Sequence, residues 1–175
     1  MKKSRAIRKP GNAMRVAIGA DHGGFALKAA LIPLLRAKGF AVADLGTHSE
    51  ESCDYPLVGY KVAAAVAEGQ FERGILLCKS GIGIAITANK VPGIRAAVCS
   101  DTFDAERSRQ HNDANVLVKG AEKIKPALAK KIMDKWFATD FESGTRHERR
   151  VRQITAIERK AMRLKERNHV KTAKR

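Results

Sequence analysis

Aromatic residues make up only 5% of this chain, with a single Trp, and cysteine is scarcer still. Cys53, Cys78 and Cys99 are an odd number without C-x-x-C spacing. That excludes a closed disulfide framework and a zinc ribbon, and it predicts a reducing, cytoplasmic setting. Long apolar runs are also missing. Stretches such as residues 29–35 and 62–67 fall far short of the roughly 20 residues a bilayer span needs, so neither a transmembrane helix nor a membrane partner is expected. Residues 1–13 have no apolar stretch of signal-peptide length and read as a disordered basic arm.

Acid is in short supply: 18 Asp+Glu face 34 Lys+Arg, a formal charge of +16. The excess is confined to the ends. Residues 1–15 carry six basic residues and no acid, residues 16–140 sixteen against fourteen, and residues 141–175 twelve against four. The central body is almost neutral and lacks a basic patch with interleaved aromatics, so nucleic acid is not an expected partner of that body. The basic ends suit a solvated surface, a polyanion-binding tail or part of an anionic-ligand site.

What is present is enough for one hydrophobic core, at 175 residues and 44% hydrophobic. Short apolar runs, Val16–Ala20, Phe40–Leu45, Gly74–Cys78, Ile94–Cys99 and Asn115–Val118, alternate with helical patterns over Phe25–Lys38, Pro56–Ala67, Ile84–Lys90, Phe103–His111 and Lys125–Phe137. Pro33 lies inside the first helical pattern, where a kink or a shifted start is expected. Buried strands alternating with helices predict a three-layer α/β/α sandwich, Rossmann-like, on a five-stranded parallel sheet. From Arg146 the pattern changes to one narrow apolar stripe, Val151, Ile154, Ile157, Ala161 and Leu164, with charge on the other faces. This predicts a terminal amphipathic helix needing a surface to cover. The organisation is thus an arm over 1–13, an α/β domain over 14–144 and a basic helix and tail over 145–175, at a dimer interface.

Ligands of open parallel sheets bind beyond the carboxyl ends of the strands. Asp21-His22 stand there before a Gly-Gly turn, readable either as chemistry or as a turn with a helix cap. The loop Cys78-Lys79-Ser80-Gly81-Ile82-Gly83 leaves a strand for a helix, so its amides can converge on an anion. It is neither a P-loop nor a full dinucleotide fingerprint, since Ile86 stands where the third glycine belongs. A thiol at that helix start, beside Lys79, is a candidate base or nucleophile, with a small buried hydrophobe as the alternative. Cys53 and Cys99 read as the latter. His111-Asn112 end a helix, where a histidine is more often structural. Arg146 and Arg150 share one helical face and can grip a phosphate together, whereas Arg149 and Arg152 read as solvated. His48 and His169 have no evident partners.

Together, Ala20-Asp-His-Gly-Gly-Phe25, Asp54-Tyr-Pro56, Gly74-Ile-Leu-Leu-Cys78 with its glycine loop, Ala88-Asn-Lys90, Gly93-Ile-Arg95, Ser108-Arg-Gln-His-Asn-Asp113 and Arg146-His147 with Arg150 resemble the type B ribose-5-phosphate isomerases. Their galactose-6-phosphate and allose-6-phosphate relatives share the pattern. The likeness runs from about Met14 to Ile157, and several short strings in one order are far more specific than any alone. It implies a cofactor-free aldose–ketose isomerisation of a sugar phosphate through a cis-enediolate. Cys78 would move the proton between C1 and C2, His111 would assist ring opening, and Asp21 would share in that step or hold a hydroxyl. Tyr55 would line the sugar site, and Lys79 and Asn112 are further candidate substrate-binding residues. Amides of Ser80, Gly81, Ile82 and Gly83 would stabilise the enediolate oxygen, and His22, Arg146 and Arg150 would hold the phosphate. The resemblance also implies a homodimer, with tetramers a further option, whose arginines reach the neighbour's site.

Four positions depart from that pattern. Lys79 replaces a usual Gly, Ala85 a usual Ser or Thr, and Glu122-Lys123 stand where an Arg after the fifth strand helps to bind phosphate; Lys79 or Lys123 could compensate. The segment before Arg146 is one residue longer. Ribose 5-phosphate is the expected substrate, with a hexose 6-phosphate as an alternative and a non-catalytic polyanion-binding relative as the rival from another class.

Overall fold

The structure, a computed structural model, describes residues 13–172. Its elements are β1 (Arg15–Ala20), α1 (Phe25–Ala37), β2 (Ala41–Asp44), α2 (Tyr55–Ala67), β3 (Arg73–Cys78), α3 (Ile82–Ala88), β4 (Ala96–Val98), α4 (Thr102–Gln110), β5 (Val116–Gly120), α5 (Pro126–Ala138) and α6 (Arg146–Thr172). A short 3-10 turn, His22–Gly24, joins β1 to α1. The expected arm over 1–13 lies outside the described residues but for Ala13.

The strands form one sheet in the order β2-β1-β3-β5-β4, every pair parallel. Side chains on each strand alternate between two cores, as a pleated strand buried on both faces requires. Val16, Ile18, Ile75, Leu77 and Leu117 pack with Leu31 of α1, Ala105 of α4 and Ile132 and Trp136 of α5. Ala17, Leu76, Cys78, Val116 and Val118 pack with Val62 and Val66 of α2 and Ile84 of α3. The expected three-layer sandwich is the observed one.

Element ends differ from the sequence reading by a residue or two, and two differences matter. Pro33 neither shifts the start of α1 nor divides it. Both Pro33 and Ala29, whose carbonyl loses its helical donor, are exposed, so water can serve that oxygen. β5 runs on to Gly120 and so draws Lys119 into the core. No helix among the described residues is long and apolar enough to cross a membrane.

Candidate active site

The chain passes from β1 outward to β2, then returns to lay β3 on the other side of β1. At this reversal the connections leaving β1 and β3 diverge and open a crevice at the carboxyl edge of the sheet. The first bank is the turn after β1. Asp21 is buried, and its Oδ1 accepts the Gly24 N–H at 3.0 Å, so the helix-cap reading of this residue holds. The Cys53 N–H donates to His22 Nδ1 at 3.2 Å, which fixes Nε2 as the donor of a neutral ring. Cys53 is only half-buried, a correction to its reading as a core residue, whereas Cys99 is buried.

The second bank is the loop after β3. Cys78 ends the strand 4% exposed, and the Gly81 N–H donates to its Sγ at 3.1 Å. Gly81 is left-handed, with φ +81, and a Cβ there would lie 3.0 Å from the Gly120 amide nitrogen. Only glycine meets both conditions, so the turn that aims an amide at the sulfur is written into the sequence. Ser80 Oγ accepts the Ile82 N–H at 3.2 Å as α3 begins. Tyr55 lies across Gly83, where a Cβ would come within 2.7 Å of the phenol oxygen. Asp21, His22, Tyr55, Cys78, Lys79, Ser80, Gly81, Ile82 and Gly83 therefore gather at one crevice.

His111, Asn112, Arg146 and Arg150 do not join them. α4 starts at the exit of β4 and runs back antiparallel to the strands for nine residues, about 13 Å. His111 and Asn112 consequently lie at the amino edge of the sheet. There Arg95, just before β4, donates through Nε to the Asn112 carbonyl at 2.9 Å, and the Asn115 N–H donates to the Arg95 carbonyl at 3.1 Å. The His147 ring stacks on His111, parallel, with centroids 3.8 Å apart. Desolvation holds His147 below the ordinary imidazole range, and the neighbouring His111 and Arg146 act in the same direction. Gln110 Nε2 donates to Glu142 Oε1, and Arg107 Nη1 lies 3.3 Å from His111 Nε2. Arg146 opens α6 beside His147, and Arg150 follows one turn later.

His111, His147 and Glu142 present ligand atoms within 4.8 Å of one another. An imidazole nitrogen binds a metal in its own ring plane. Two parallel rings 3.8 Å apart cannot both direct that plane at one ion, so the trio suits stacking and not coordination.

Several contacts were invisible in the sequence. The His111–His147 stack joins residues far apart along the chain, with no local signal. His48 is not partnerless, for its Nδ1 lies 3.8 Å from Asp44 Oδ2. Arg152, read as solvated, is exposed yet paired with Glu148. His169 lies where side chains are outside the described residues.

Comparison with known proteins agrees with this architecture. The ribose/galactose isomerase family pattern matches residues 16–154. The ribose-5-phosphate isomerase B of Escherichia coli K12 is 49% identical over 146 residues, 83% of this chain and 97% of that protein. A D-erythrulose-4-phosphate isomerase of Pectobacterium atrosepticum is 46% identical over 132 residues, 75% of this chain and 87% of that protein. The structure of the Clostridium thermocellum ribose-5-phosphate isomerase B superposes with a TM-score of 0.83 at 49% identity, covering 85% of this chain and 99% of that one. With a family pattern matched across most of its length and relatives of this identity, the chain belongs to the ribose/galactose isomerase family.

Proposed function

We propose that this protein is a cofactor-free aldose–ketose isomerase that interconverts ribose 5-phosphate and ribulose 5-phosphate. The observation that carries the reading is the Cys78 sulfur at the switch-point crevice, with the Gly81 amide aimed at it from 3.1 Å. In the opened aldose, Cys78 as thiolate takes the proton from C2. The electron pair forms the C1–C2 double bond, and the negative charge reaches O1. Returning the proton to C1, with the O2 proton passing to O1, leaves the ketose. With the Gly81 amide on the sulfur and the Ile82 amide on Ser80 Oγ, the amides of Ser80 and Gly83 stabilise the enediolate oxygen, where preorganised donors act most strongly. Asp21 and Tyr55 hold sugar hydroxyls, and His22 holds the phosphate.

The His111 group belongs to the opposite edge of the sheet, so a complete site takes two copies in a homodimer. Ring opening then falls to the partner subunit's His111, with the partner's Arg146 and Arg150 on the phosphate. The exposed stripe of Ile154, Ile157, Met162 and Leu164 on α6 supports this reading, as a helix face with surface left to bury. Three free thiols suit the cytoplasm.

In an assay of ribose 5-phosphate conversion, Cys78→Ala should lower kcat by roughly 10²–10⁴-fold, the range for losing a positioned base, with an unchanged circular dichroism spectrum. Near-normal turnover would refute the assigned base. A second reading, another phosphorylated sugar as substrate, is favoured by the exposed Glu122 beside the crevice. Turnover on four-, five- and six-carbon phosphates separates the two.

A further inference from the structure

A Cβ built on Gly23 would stand 2.3 Å from Lys79 Cγ and 3.3 Å from both Cδ and Cε. Lys79 belongs to the loop after β3, yet its stem lies along the turn after β1, in space that any other residue at position 23 would fill. The ammonium, one bond beyond Cε, therefore lies beside the turn that carries His22. His22 presents Nε2 as a donor there, because Nδ1 is occupied by the Cys53 amide. Lys79 is exposed, and among the described residues no carboxylate pairs with it. Glu122 is tied to Lys79 through the backbone, its N–H donating to the Lys79 carbonyl at 3.2 Å. Lys123 is exposed as well but sits on the turn after β5.

An unpaired ammonium beside the His22 donor is suited to an anion: its stem already lies along the turn, so part of the ordering that binding costs is done beforehand. We propose that Lys79, seated on Gly23, binds the substrate's phosphate from the His22 bank and sets the preference for a phosphorylated sugar. This rests on the isomerase reading above for the identity of the anion. Gly23 serves as the seat, acting only through Lys79.

The test uses three single variants of the full chain and the double variant of Lys79→Met with Gly23→Ala. Lys79→Met keeps the stem and removes the charge, Gly23→Ala keeps the charge and removes the seat, and Lys131→Met, an exposed lysine on α5, is the comparison. Kinetics with ribose 5-phosphate give kcat and KM, and calorimetry with inorganic phosphate gives its Kd. Thermal melts report whether each variant is folded. Lys79→Met and Gly23→Ala should each raise KM and the phosphate Kd by roughly tenfold, as loss of one charge-assisted contact does, with kcat within about threefold. The double variant should be no worse than the singles, because both remove the same contact. Lys131→Met should stay within about twofold.

An unchanged phosphate Kd in Lys79→Met overturns the proposal. So does a fall in kcat with KM and Kd unmoved, which would assign Lys79 to the reacting end. Should the wild-type chain fail to turn over ribose 5-phosphate, that substrate assignment falls. The phosphate Kd of Lys79→Met still decides whether the contact exists.

Discussion

Lys119 occupies a place that alternation along β5 assigns to an apolar side chain, on the face shared by Leu117. It is fully buried, and its Nζ has no hydrogen-bond partner among the described residues. Burial drives its pKa from 10.5 down to about 7, with the nearby Cys99 opposing the shift. Above pH 7 the folded protein holds the neutral amine while the unfolded chain keeps its proton, so stability should rise with pH from 7 toward 10.5. The slope is about 1.4 kcal/mol per pH unit for one proton. Cys99 acts the other way: burial raises its pKa from 9.0, so above pH 9 the unfolded chain loses a proton that the folded thiol keeps. The rise should therefore be clearest between pH 7 and 9 and flatten beyond. Chemical denaturation across pH 6–9 measures it. Lys119→Met should abolish the slope and add roughly 1–4 kcal/mol at pH 6, the usual gain when a buried charge yields to an apolar group of similar size.

Among the elements, β3 with its loop and α3 carries most of the proposed chemistry. The strand fixes Cys78 between Leu77 and the Gly120 end of β5, and the left-handed Gly81 folds the chain back over the sulfur. Gly81→Ala meets two penalties, a positive φ and a Cβ too near the β5 backbone. It should lower stability by roughly 1–3 kcal/mol and reduce kcat as the amide swings off the sulfur. Thermal unfolding and steady-state kinetics on one preparation read both effects; a variant with full turnover would detach the Gly81 amide from the reaction. α6 is the element whose form follows most directly from composition. Its apolar residues recur every three or four positions, and it runs unbroken from Arg146 to Thr172.

For the whole molecule, the decisive feature is that two sets of candidate residues occupy opposite edges of one sheet. On the homodimer proposed above neither set is complete alone, and α6 offers the exposed apolar surface by which a second copy would bring them together. Mixing Cys78→Ala and His111→Ala chains tests this without a structure. Each variant alone should be nearly inactive. After dissociation and random reassortment, half of the dimers are hybrids with one intact site of two, so activity should recover to about one quarter of wild type. No recovery, with hybrids demonstrated by mass spectrometry, would mean that the two residues serve one and the same chain.

Short apolar strands between amphipathic helices allow only a parallel sheet covered on both faces, and glycines at 81 and 83 with Cys78 mark a strand-to-helix loop, because these depend on neighbours a few positions away. The sequence alone therefore determined the layered fold, the crevice loop and the terminal helix. Contacts across long chain separations were decided only by the tertiary structure: Lys79 over Gly23, His147 on His111, and His111 facing away from Cys78. Periodicity states which face of an element is buried, but the strand order and the direction of α4 decide which edge of the sheet each side chain reaches. Lys119 lies between these cases: its alternation was local, yet a charge in that register became visible only once β5 was seen to continue through it.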